Sequence, residues 1–188
     1  MPALAFRRYD AAGARSVKEL VAEIHRDAYG EGSGFSSGEA FMRRYDAYAA
    51  RDGFDLLIAE LDGTAVGQAW GWPLDEGAVD GWWSGLLDEP EPGFTQEDGR
   101  RTFALSEIMV RQAATGQGIA HALHDELLGV RTEERATLLV RPTNKTAYQA
   151  YERWGWRPTA KLRPSWPDAP LFDVLILQLP IHDDSAMG

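Results

Sequence analysis

Between Leu105 and Leu128 the chain reads LSEIMVRQAATGQGIAHALHDELL, residue types suited to holding a phosphate close to a proton acceptor. Gly116 and Gly118 precede an expected helix with Ile119, Leu123 and Leu127 at i, i+4 and i+8. The first N–H groups of a helix have no intrahelical partner, and the dipole's positive end adds to their attraction for anions. Glycine at this point lets a ligand approach the backbone without meeting a β carbon. Upstream, Glu107 alternates with Phe103, Leu105 and Met109, so a regular strand sets a carboxylate on an apolar face. Burial there would raise its proton affinity toward the range useful for a base. The alternative is a structural glutamate paired with an arginine. A second block, NKTAYQAYERWGW from Asn144 to Trp156, opens on a residue suited to cap a helix. It stops at Gly155, with Ala147, Tyr151 and Trp154 on one helical face and Trp156 folding back.

Together the two blocks resemble the GNAT superfamily of acetyl-CoA-dependent N-acetyltransferases. The family's first signature is Gln/Arg-x-x-Gly-x-Gly/Ala after a strand. Thr115-Gly116-Gln117-Gly118-Ile119-Ala120 matches it, with Thr where Gln or Arg is usual. The second is an Asn opening a short helix, then Ala, Tyr and Gly with an aromatic, filled here by Asn144, Ala147, Tyr151, Gly155 and Trp156. The resemblance implies one α/β domain over 1–188, with a mixed, mostly antiparallel central sheet flanked by helices. It implies acetyl-CoA as cosubstrate, no metal, and direct attack on the thioester by a primary amine, that of a small molecule. Backbone N–H groups from Gly116 to Ala120, those of Gln117, Gly118 and Ile119 included, would take the pyrophosphate. Thr115 offers less side-chain help than a longer polar residue. Asn144 would contact the pantetheine arm, and a backbone N–H near Met109 or Val110 the oxyanion. Glu107 would act as base, directly or through water, and Tyr151 would protonate the leaving thiolate unless it is a core tyrosine. Two other readings stay open: a module that binds acyl-CoA without turnover, and a protein acetyltransferase acting on lysines or N-termini.

Composition narrows the classes further. The chain has 188 residues, 44% of them hydrophobic, enough for one well-buried domain. It has no cysteine, which excludes disulfides, thiolate metal sites and a cysteinyl acyl-enzyme. No G-x-S-x-G elbow supports a serine acyl-enzyme. A net charge of −10 argues against nucleic acid, where phosphate must be neutralised. The longest aliphatic run, Val174 to Leu177, is far short of a membrane span, and MPALAFRRYD lacks a signal peptide's apolar core. The expectation is a cytoplasmic monomer or homodimer. His121 and His124, at i and i+3, lack the further ligands a metal needs and are expected on a solvated face.

The elements that must position these residues follow in order. Leu4–Tyr9 reads as a strand. A capping box at Ser16 and Glu19 would start a helix burying Val17, Leu20, Val21, Ile24 and Ala28. The glycine-rich 30–38 segment is either a flexible connection or, as in the resembled family, a wall of the acceptor site. Ser36 and Glu39 would cap a second helix with Phe41, Tyr45, Tyr48 and Ala49 inward. Phe54–Glu60 and Thr64–Trp72 form a hairpin across Leu61-Asp62-Gly63. An insertion at about 75–101 follows, with eight acidic residues before Gly99 and the pair Trp82-Trp83. It is either a flap whose tryptophans pack on the core or a lid offering carboxylates and aromatic faces to an ammonium group. Thr102–Val110 and Ala136–Arg141, joined through a helix, should be parallel. Ala160–Arg163 and Phe172–Leu179 would close the sheet, with a polar tail from His182.

Overall fold

The computed structural model describes residues 2–181; the tail expected from His182 lies outside them. The chain order is β1 (Leu4–Tyr9), α1 (Ala11–Ala14), α2 (Lys18–Tyr29), α3 (Gly38–Ala49), β2 (Asp55–Leu61), β3 (Thr64–Pro73), β4 (Thr102–Val110), α4 (Ile119–Leu128), β5 (Arg135–Val140), α5 (Lys145–Arg153), β6 (Arg157–Leu162) and β7 (Phe172–Gln178). Hydrogen bonding orders the strands β1-β2-β3-β4-β5-β7-β6, a seven-stranded mixed sheet of the expected α/β class. β1·β2, β2·β3, β5·β7 and β6·β7 are antiparallel, while β4·β5 is parallel, as a helical connection requires. Packing divides the chain into two compact units, Met1–Trp72 with Leu105–Val130 and Pro73–Ala104 with Arg131–Gly188.

In the first unit β2 is buried over five consecutive residues, so both of its faces are covered. Asp62 and Gly63, both at positive φ, make the tight turn to β3 that the sequence signals. Trp70 is fully buried, with the rings of Phe41, Tyr45, Tyr48 and Phe54 centred between 5.4 and 6.2 Å from it. Truncating such a ring costs about 3–5 kcal/mol, so α3 is fixed on this sheet mainly by aromatic packing. Both expected capping boxes are displaced. Asp10 caps α1, accepting from Gly13 N at 2.8 Å, and Ser16 instead donates to Gly13 O. Ser37 rather than Ser36 caps α3, accepting from Ala40 N, because Ser36 is taken into a preceding 3-10 turn.

In the second unit β4 and β5 pair through Thr102, Phe103 and Ala104 against Arg135, Ala136 and Thr137. β6 begins at Arg157, earlier than expected. Pro158 reads as a turn residue, yet an edge strand tolerates it, and the register shifts beside it. The insertion is folded, not open. Trp83 is 2% exposed, rests against Phe94 at 5.2 Å, and donates through Nε1 to Glu97. Leu86 bridges to Leu162, Leu87 N donates to Lys161 O, and Arg163 N donates to Gly85 O. Gly85 has φ 87° and a β carbon there would stand 2.0 Å from the Arg163 carbonyl oxygen, so only glycine fits.

Candidate active site

The turn after β4 is held by its own backbone. Arg111 N donates to Val66 O at 2.7 Å, its Nε to Ala65 O at 2.8 Å, and Gln112 N to Asp27 Oδ2 at 3.0 Å. These bonds seat a 3-10 turn, Gln112–Ala114, and the Thr115 hydroxyl closes it by donating to Gln112 O at 2.8 Å. The chain then passes through Gly116 at φ 75° and Gly118 at φ 78°, conformations that side chains rarely adopt. A β carbon on either would meet no atom within 4 Å. Thr115 to Gly118 are exposed, Ala120 is half-buried, and Ile119, 3% exposed, anchors the start of α4. Gly118 caps α4 without a side-chain hydrogen bond, and the first turn has no acidic residue. The first N–H groups therefore face neither a capping oxygen nor a carboxylate from their own helix, which fits the pyrophosphate of acetyl-CoA.

Glu107 lies on β4 in the same unit. Its side chain is 21% exposed, and loss of water pushes its carboxyl up to about 7, against the opposing pull of Arg44. Arg44 Nη2 is 3.6 Å from Glu107 Oε1, too long for a normal hydrogen bond. Arg44 is itself held by the 30–38 segment: its guanidinium lies 4.0 Å over the Phe35 ring and Nη1 donates to Phe35 O at 2.9 Å. Tyr29, though more than half exposed as a residue, is pushed up to about 12 by partial loss of water and then by the Glu107 charge. Burial also raises Tyr48, which feels Arg44 and Glu107 and stacks on Trp72 at 4.1 Å. The sequence expectations do not include these neighbours among the site residues. The signal was present, since Arg44 lies three residues after Phe41 and four before Tyr48, on their side of α3.

Met109 is 4% exposed and Val110 half-buried. The Met109 sulfur accepts from Gln68 Nε2 at 3.2 Å, and the same amide donates to Val21 O at 3.0 Å. A β carbon on Gly67 would come within 2.9 Å of the Met109 carbonyl oxygen, so this glycine sets how close β3 lies to the Met109 backbone.

Asn144 and Tyr151 belong to the second unit. Asn144 caps α5, its Oδ1 accepting from Ala147 N at 3.4 Å. At the other end Gly155 N donates to Glu152 O and Trp156 N to Tyr151 O, a paired C-terminal cap with Gly155 at φ 96°. Trp156 is fully buried, but no residue of α5 is. Ala147, Tyr151 and Trp154 are half-buried, so Tyr151 is not a core tyrosine. Its ring stands edge-on to Trp154 at 5.7 Å and Trp156 at 6.2 Å.

One expectation needs correction. His124 is 1% exposed, not on a solvated face, because α4 turns a broad side inward with Leu123, Leu127 and Leu128. Its Nδ1 is 2.7 Å from Asp125 Oδ1, while the exposed His121 has Nε2 3.4 Å from Asp125 Oδ2. The three residues offer ligand atoms within 4.8 Å of one another, a closer grouping than the histidine pair alone suggested. Of the two readings of the insertion, Trp83 fits the packed flap: that ring is covered, and Glu97 is buried with Arg135. A cavity of about 410 Å³ borders His25, Arg26, Glu31, Ser37, Phe41 and Met42.

Residues 18–156 match the family described as Acetyltransferase (GNAT) family. No curated protein matches the chain in sequence. A GNAT-family structure from Desulfovibrio desulfuricans is 17% identical, with TM-score 0.66, covering 95% of this chain and 100% of that one. The structure of yncA from Salmonella typhimurium, solved with its cofactor acetyl-CoA, is 16% identical, with TM-score 0.56 and 96% coverage of both chains. A mutant of the spermidine N-acetyltransferase SpeG from Vibrio cholerae is 13% identical, with TM-score 0.56 and 93% coverage of both chains. At these identities the structures establish the fold, and no described helix is long and apolar enough to cross a membrane. With the family matched over most of its length, the chain belongs to the GNAT acetyltransferase family.

Proposed function

We propose that this protein transfers the acetyl group of acetyl-CoA to a primary amine of a small molecule, by direct attack of the amine. The observation that carries the reading is Glu107: a half-buried carboxyl titrating near 7, on the strand that leads into an uncapped, acid-free helix terminus. A protein whose purpose was only to hold an acyl-CoA would have no need of a base there.

Acetyl-CoA, when bound, supplies a thioester open to attack by an uncharged amine. Backbone N–H groups from Gly116 to Ala120 hold its pyrophosphate, with Thr115 contributing little because its hydroxyl is engaged with Gln112. Glu107 takes the proton from the acceptor's ammonium group. A backbone N–H at Met109 or Val110 receives the developing oxyanion. Asn144 for the pantetheine arm and Tyr151 for the thiolate proton rest on the match to the second signature. SpeG acts on spermidine, as its name says, and is a precedent for a small amine acceptor.

The test is release of free coenzyme A thiol in the presence of a panel of amines. Acetyl-CoA alone should raise the melting temperature, and Gly118→Val should remove that rise by forcing a β-branched residue into positive φ where the ligand's backbone contact lies. Tyr151→Phe should lower turnover about 10²-fold with cofactor affinity nearly unchanged. Binding without turnover of any amine would make this a non-catalytic acyl-CoA module.

A further inference from the structure

Glu107 does not face the acceptor alone. The first unit brings one anion, Glu107, and one fixed cation, Arg44, to the same place, each about one-fifth exposed. Arg44 forms a loose ion pair with Glu107 at 3.6 Å, longer than a normal hydrogen bond, and opposes the rise in its proton affinity. It is immobilised from the other side, stacked on Phe35 and bonded to the Phe35 carbonyl, which uses one of its five donors. The other groups that sense this pair are polar aromatics, Tyr29 and His25 from α2 and Tyr48 from α3, with two further cations beside them: Arg26 near His25 and Arg51, past the end of α3, near Tyr48. Burial lowers the proton affinity of His25, and Arg44 lowers it further, so His25 adds no charge at neutral pH.

A site built to receive a plain ammonium ion would gain nothing from a guanidinium clamped beside its base. Arg44 repels such a cation and makes its approach to Glu107 less favourable. The same arrangement suits a ligand that carries both charges. A planar guanidinium with free N–H groups is the side chain best matched to a carboxylate, which it can take with two parallel hydrogen bonds.

We propose that Arg44 receives a carboxylate of the acceptor while Glu107 faces its amine, so that the acceptor is an amino acid and not a simple amine or polyamine. This rests on the acetyltransferase reading above and names the substrate class of that same site. Neutralising the carboxylate through Arg44 also weakens its hold on the neighbouring ammonium proton, which eases deprotonation by Glu107. The net reaction forms one C–N bond and breaks one C–S bond; of the two protons the ammonium nitrogen loses, one passes through Glu107 to solvent and the other leaves on the coenzyme A thiol.

The experiment compares matched acceptors in the thiol-release assay: each protein amino acid and γ-aminobutyrate, the corresponding carboxamide, and the decarboxylated amine. The acid should be favoured over its own amide and amine by at least about 10²-fold in kcat/KM, the size expected when a charged hydrogen-bonding partner is lost. Arg44→Gln should bring that ratio close to one, chiefly through KM for the acid, and Arg44→Lys should restore part of it. Were Arg44 only a positioning residue for Glu107, Arg44→Gln would shift the acidic limb of the pH profile for acid and amide alike and leave the ratio intact. That result overturns the proposal. So does turnover of amides or amines as readily as acids, or turnover of none of the acids. A protein that neither binds acetyl-CoA nor releases thiol with any amine would instead overturn the acetyltransferase reading.

Discussion

Two glutamates ten residues apart, Glu97 and Glu107, are both driven by burial toward higher proton affinity, yet their surroundings differ. Glu97 has a fully buried side chain whose Oε1 accepts from Thr102 Oγ1 at 2.8 Å, Trp83 Nε1 at 3.2 Å and Arg135 Nη2 at 3.3 Å. Arg135 in turn donates to Thr102 Oγ1 and Phe94 O. Glu107 has a single charged neighbour, at 3.6 Å, and some access to solvent. Burial alone therefore does not distinguish a base from a brace. The number of committed donors does: Glu97 is a knot tying the insertion to β4 and β5, while Glu107 has one loosely held partner, Arg44.

The sharpest way to break this contrast is to remove the knot. Glu97→Ala leaves Arg135 buried without its charge partner and should cost about 3–5 kcal/mol of stability, read by denaturant unfolding. Thiol release per folded molecule should change much less. Glu107→Gln should do the opposite, lowering kcat by about 10²-fold or more and erasing the acidic limb near pH 7 in the rate profile.

The same substitution should also stabilise the fold, and the sign depends on pH. The folded carboxyl titrates at about 7 and the unfolded one at the ordinary value of 4.5, so the folded state binds the extra proton between them. Wild-type stability from this group is full below pH 4.5 and is lost as pH rises through 7. Glu107→Gln should thus gain about 1–3 kcal/mol over wild type above pH 7 and little at pH 4.5. A melting-temperature difference that fails to grow across that window would place the Glu107 charge in water. A smaller effect comes from the strand beneath. Gly67→Ala should cost about 1–2 kcal/mol, because its β carbon meets the Met109 carbonyl, and should lower turnover without touching the acceptor. Equal turnover in that variant would show that strand spacing does not govern the β4 site.

Much of this was legible in the chain. Alternation around Glu107 announced a carboxylate on an apolar face, and paired glycines before Ile119 announced an open helix terminus. Asn144 and Gly155 marked both ends of α5 because each end is decided by local hydrogen bonds. What was not legible depends on competition or on distance. Ser36 and Ser37 are equal candidates for a cap until the turn before them chooses. Asp10 starts α1 ahead of the expected box because it follows directly on β1. His124 is buried because the apolar side of α4 is wider than a narrow stripe suggests. Arg44 escaped notice since an apolar-face reading passes over a charge, and only the fold reveals that it lies near Glu107. The acidity of the insertion left a packed flap and a cation-gathering lid both open; four of its carboxylates have local partners, Glu97 with Arg135, Glu89 with Thr95, and Asp75 and Asp98 with backbone N–H groups nearby.

The bridge between Leu86 and Leu162 has a consequence for how the protein behaves in a crowded solution. β6 is a terminal strand, and a terminal strand presents unpaired backbone groups to any other chain that drifts past. Here one end of it is occupied by the backbone of Gly85 and Leu87, and the other is broken by Pro158 and its register shift. The insertion thus acts as a selvedge, finishing the cloth so that it neither frays nor catches on its neighbour. A shortened chain lacking that hem would keep its catalytic candidates and lose its discretion, joining to its own copies edge to edge as concentration rises.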